Sequence, residues 1–148
     1  MVLKFLRKNR FVLSAIATGV MLIAVIIGFH SMDSSLNRKI VEYIESFGWQ
    51  IEQTPIEISY LTIPRTFDAV FENHNLYQKE AGLDLTSFKG ARAVRYSYRV
   101  LNHASSADFT VRANVIVVNQ KIVAADINSN DLSGFMHAIS DVRLLREP

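Results

Sequence analysis

Arg95, Arg99, Arg112 and Asn114 are the residues whose types and spacing could act together chemically. Val94, Tyr96, Tyr98 and Val100 alternate with Arg95, Ser97 and Arg99, which predicts a strand over 93–101. Phe109, Val111, Ala113, Val115 and Val117 alternate with Thr110, Arg112, Asn114 and Ile116, which predicts a second over 109–118. Paired as a hairpin, these strands put all four polar residues on one sheet face, with Arg99 and Arg112 near one another across the loop. Guanidinium groups hold carboxylates and phosphates through forked hydrogen bonds. That face is therefore a candidate site for an anion or an acidic partner, and otherwise a solvated outer surface. Asn75 and Gln78 lie on a predicted helix. Their amides match a peptide backbone, or else fix the helix against a loop.

The histidines are His30, His74, His103 and His137, and no two are close in sequence. Zinc sites usually show close ligand pairs at helical spacing, so no metal is expected. His74 falls on an apolar helical face, which suits a packed side chain. His103 sits in the polar loop 102–108. His137 follows Phe135-Met136 and has Asp126 and Asp131 as candidate orienting carboxylates for a hydrolase. Ser133 precedes Gly134, but Asp131-Leu132-Ser133-Gly134-Phe135 reads more simply as a turn. There is no nucleophile elbow, phosphate loop or HExxH. The chain has no cysteine, hence no thiol nucleophile, cysteine metal site or disulfide. No cofactor is expected.

These residues must be positioned by elements placed after one long apolar stretch. Phe11 to Phe29 contains no charged residue. As a helix it rises about 28 Å, roughly the hydrocarbon thickness of a bilayer. Lys4, Arg7, Lys8 and Arg10 precede it without an acid, while Arg38 and Lys39 follow with Asp33 nearby. This asymmetry predicts a cytoplasmic N-terminus and an outer C-terminal domain. A cleaved signal peptide shares the pattern, but this run is longer than the usual h-region, and Gly28-Phe29-His30-Ser31-Met32 lacks a small-x-small cleavage site. The expected organisation is a basic tail over 1–10, a transmembrane helix over 11–29 and an extracytoplasmic domain over 34–148.

With the four tail residues set aside, twelve basic residues face fourteen acidic ones. The basic balance belongs to the tail, and nothing in the charge supports nucleic-acid binding. Leu36, Ile40, Ile44 and Phe47 form one apolar stripe, which predicts a helix over 35–47 that Gly48 ends. Trp49–Gln53 and Ile56–Ile63 read as strands, the second near a sheet edge because of Pro55. Phe67, Val70, Phe71, His74 and Tyr77 mark one face of a second helix, starting near Thr66 and ending at Gly82. Asn119-Gln120 predicts a tight hairpin into a return strand over 122–127. Phe135–Leu145 reads as a short helix or an extended tail. The fold class is α+β: two helices packed on an antiparallel sheet of four or five strands, after one transmembrane helix.

Several short patterns carry a resemblance. They include Phe47-Gly48-Trp49-Gln50-Ile51, Ile63-Pro64-x-x-Phe67, Asn75-x-x-Gln78, Gly82-x-Asp84-Leu85, Val111-Arg112-Ala113-Asn114 and Gly134-Phe135-Met136-His137. In this order, over residues 40–139, the chain resembles small single-pass proteins of Gram-positive bacteria that share a domain of unknown function. One departure is Ala124-Ala125-Asp126, where such proteins often carry Gly-Gly-Asp. The resemblance implies the architecture and the anchoring, and no activity.

The expectation is a non-enzymatic, membrane-anchored interaction module. It would meet the lipid bilayer through Phe11 to Phe29, and a protein or peptide through a sheet edge or through Arg95, Arg99, Arg112 and Asn114, with Asn75 and Gln78 as further candidates. The alternative is a cell-envelope hydrolase using His137 with Asp126 or Asp131. A ligand sensor ranks third, because ten cytoplasmic residues leave no room for an output domain.

Overall fold

The computed structural model describes residues 34–131 and 134–146. The basic tail, the apolar run Phe11–Phe29 and Ser133 lie outside the described residues. Among the described residues, no helix is long and apolar enough to cross a membrane.

Helix α1 spans 34–45. Its stripe is buried at Ile40, Val41 and Ile44, the positions that the four-residue spacing puts on one face. Gly48 ends the segment with φ at 89°, a left-handed turn that suits glycine. Trp49 follows immediately and is buried, its Nε1–H donating to the Ile139 carbonyl at 2.7 Å.

Five antiparallel strands form one sheet in the order β1 to β5: Glu57–Thr62, Arg92–Arg99, Val111–Val118, Lys121–Ser129 and Met136–Ala138. The predicted strand over Trp49–Gln53 reduces to one bridge between Ile51 and Val100. The fifth strand comes instead from the C-terminal segment, where a helix or tail was expected. There, β5 is followed by a 3-10 turn over Val142–Leu144. The β3–β4 hairpin turns at Asn119 and Gln120, with φ at 48° and 62°. Positive φ at both central positions matches the twist of the flanking strands, and asparagine tolerates it better than most residues.

Helix α2 spans Ala69–Glu80 and is capped by Asp68, whose carboxylate accepts the Phe71 N–H at 2.8 Å. The start lies just after the predicted one, because Asp68 offers a better cap than Thr66. The apolar face read from its sequence is only partly the buried one. Val70 is 78% exposed, whereas Asn75 and Gln78 are fully buried. Both helices pack on the sheet. Beneath α2 lies a cluster of Ile63, Phe67, Leu85, Ala93, Ile116 and Ala124.

Candidate functional site

Strand register decides which polar groups meet. Ser97 lies opposite Asn114, and Asn114 opposite Asp126, across three adjacent strands. The Ser97 hydroxyl donates to Asn114 Oδ1 at 2.7 Å, and Asn114 Nδ2 donates to Asp126 Oδ1 at 2.8 Å. All three are buried. The other carboxylate oxygen, Asp126 Oδ2, lies 3.2 Å from His74 Nε2 on α2. A carboxylate partner assigns the proton to Nε2 and leaves Nδ1 for a further hydrogen bond.

Gln78, one turn beyond His74, has its Oε1 accepting the Ala125 N–H at 2.6 Å. Its Nε2 lies 3.3 Å from His74 Nε2. Strand β5 pairs with β4 only from Asp126 onward, so Gln78 supplies the acceptor where the ladder stops. Asn75 spends its amide on the next connection. Its Oδ1 accepts the Leu85 N–H at 2.9 Å, and its Nδ2 donates to Asp84 at 2.9 Å. That donated bond, with those from Thr86, holds the Asp84 carboxyl well below the usual carboxylate range. Asn75 and Gln78 thus tie α2 to the turn and the sheet.

The arginine face forms as the register requires, with Arg99 opposite Arg112 and Arg95 on the same side. Glu57 on β1 accepts from Arg95 Nη2 at 2.9 Å and from Arg112 Nη1 at 3.2 Å. Arg95 Nε also donates to the Ser59 hydroxyl at 3.2 Å. Two guanidinium groups therefore share one carboxylate. Arg99 is exposed, and its side chain has no partner among the described residues.

A cleft of about 650 Å³ opens between α2 and this sheet face. Its walls are mainly apolar, with Leu61, Val70, Phe71, Ile116 and Met136. Arg95, Asn114, His74, Asp126 and Asn128 reach it as polar groups. An apolar concavity of this size with a few convergent polar groups is the usual form of a ligand site.

His137 does not join it. On β5, Ala138 pairs with Asp126, whereas His137 pairs with Ile127 and so shares the opposite face. The expected pairing of His137 with Asp126 is therefore corrected: Asp126 meets His74. Asp131 bonds instead to the Ser129 hydroxyl. His137 stacks with His103 and Phe135, and its Nε2 lies 3.2 Å from His103 Nε2. Burial, and then the neighbouring His137, push the His103 pKa down. Among the described residues, no group of three or more side chains is placed to hold a metal ion.

His74 and Asp126 stand 52 residues apart and on different elements, so no local motif could have announced their pairing. The one available signal was a histidine on a helical face that otherwise read as apolar.

No curated protein and no solved structure matches the chain. Residues 43–127 match the model of a family described as a domain of unknown function, DUF4830. The match takes in His74, Arg95, Asn114 and Asp126, all of which line the cleft, and stops before His137. It spans more than half of the 148 residues, and the chain belongs to the DUF4830 family.

Proposed function

We propose that this chain is a membrane-anchored, extracytoplasmic interaction module that takes an extended segment of a protein partner along β1. The observation that carries the reading is the outer edge of that strand. β1 ends the sheet and pairs only with β2. Ile63 N–H donates to the Ala91 carbonyl at 2.9 Å, which fixes the alternation of the ladder. Backbone groups of Ile58, Tyr60 and Thr62 therefore point away from β2. On the sheet face opposite Glu57 and Ser59, Ile58 is 51% exposed and Tyr60 is 86% exposed. An exposed edge with apolar side chains is a template for an added strand. The partner segment is accordingly extended and carries apolar residues at alternate positions.

Anchoring rests on the charge-free run Phe11–Phe29 and on the four basic residues before it. The resemblance to single-pass Gram-positive proteins supports the same arrangement. The N-terminus is then cytoplasmic, and the domain faces outward in a cell envelope.

The test is brief crosslinking in intact cells, recovery of the full-length chain and identification of its partner by mass spectrometry. An Ile58→Lys/Tyr60→Lys variant runs beside an Arg95→Ala/Arg99→Ala/Arg112→Ala variant. A partner lost with the β1 variant and kept with the arginine variant supports the reading. A partner kept with the β1 variant, or no partner at all, overturns it.

A further inference from the structure

We infer that the cleft between α2 and the sheet binds a small amphipathic anion, an apolar body ending in one carboxylate, with Arg95 holding the head group. This site is separate from the β1 edge, and the inference stands on different observations. The first is charge. Arg95 and Arg112 share the single carboxylate of Glu57, and Asp126 is taken up by His74 and Asn114. The exposed Arg99 adds a further cation on the same sheet face. One more negative charge is what this face lacks.

The second observation is the state of the donors. Arg95 commits Nε to Ser59 and Nη2 to Glu57, so Nη1 keeps its hydrogens free among the described residues. The guanidinium plane is fixed by those two bonds, which lowers the ordering cost of presenting the third nitrogen.

The third is shape. A volume of about 650 Å³ suits a small molecule. Leu61, Phe71, Ile116 and Met136 supply an apolar lining. Val70 stands at the rim although it is 78% exposed. The lining selects an apolar body and the arginine selects its charge.

The probe is 4-phenylbutanoate, with 4-phenylbutanamide as its neutral counterpart. Binding to the full-length chain in lipid nanodiscs is followed by ligand-observed NMR against empty nanodiscs. The carboxylate is expected to bind at least ten-fold more tightly than the amide. Arg95→Gln is expected to weaken carboxylate binding at least ten-fold and to leave the amide unchanged. Val70→Glu should also weaken the carboxylate. That position lies in the first turn of α2, where an acid favours the helix, so the variant keeps its fold. Should Arg95→Gln lose its fold, Val70→Glu decides alone. Equal binding of acid and amide, indifference to both variants, or binding of neither compound would overturn the inference. The Ile58→Lys/Tyr60→Lys variant should bind the carboxylate normally, so failure of the edge reading leaves this one standing.

Discussion

His103 Nε2 lies 3.2 Å from His137 Nε2, and the surrounding bonds assign the one hydrogen between them to His103. The Ser105 N–H donates to His103 Nδ1 at 3.0 Å, so that nitrogen is bare and Nε2 carries the proton. His137 Nδ1 lies 2.9 Å from the Ala138 carbonyl, which can only accept, so His137 accepts through Nε2. A proton added to either ring breaks one of these bonds. Asp141 also faces His137, but its carboxylate is held by Arg143.

Acid should therefore loosen the domain. The folded-state pKa of His103 is depressed, so the unfolded chain binds more protons below the ordinary histidine value of about 6.5. Stability is then fully present above that pH and falls as pH drops through the depressed value. The urea midpoint should be flat from pH 8 to 7 and decline toward pH 5, with the slope reduced in His103→Gln. The only tryptophan, Trp49, stacks on His103 with ring centroids 5.7 Å apart, and its fluorescence reads the transition.

Asn114→Ala should cost about 2–4 kcal/mol in chemical denaturation. It leaves the buried Ser97 hydroxyl and Asp126 Oδ1 without their partner, and unmet buried groups cost more than a bond gains. An Asn114→Ala/Ser97→Ala double variant should recover part of that loss. Equal stability of parent and single variant would show that the relay is not under strain to be satisfied.

How far the fold was legible follows from these same residues. Period-two alternation exposed β2 and β3, and therefore the arginine face, because long paired strands with two distinct faces leave a strong pattern, and the turn at Asn119-Gln120 placed β4 after them. β5 is only three residues long, too short for any period. Trp49–Gln53 looked like a strand because its large residues are buried, yet it serves the core through Trp49 and one bridge. On α2 the pattern misled in one respect. Gln78 and Asn75 face inward because the sheet and the turn present bare backbone groups to them, and no periodicity records that. Glu57 fell inside the strand predicted over Ile56–Ile63, but its sharing between two arginines depended on tertiary register.

Gly134→Ala should destabilise the C-terminal segment. A methyl group there would collide with the Ser129 carbonyl oxygen, which is backbone and cannot rotate away. Gly82→Ala meets no atom within 4 Å and carries only the strain of φ at 74°. Thermal unfolding should rank Gly134→Ala below Gly82→Ala, and the reverse order would contradict the packing around Ser129.

Gln78→Ala should cost about 1–3 kcal/mol, the penalty of a buried N–H left without an acceptor at Ala125. Gln78→Glu should cost at least as much, because it keeps an oxygen for the amide but buries a carboxylate beside His74 and Asp126. Urea titration of the two variants separates loss of the acceptor from burial of a charge.

The same bond makes one amide a clock for the cleft. Ala125 N–H is answered by a helix side chain rather than by a neighbouring strand. Its exchange with deuterium therefore measures how often α2 lifts from the sheet, while amides in the centre of β3 wait for the whole sheet to open. A compound that fills the cleft should slow exchange at Ala125 first, and the ratio of its rate to that of the unprotected amide would give the free energy of that opening.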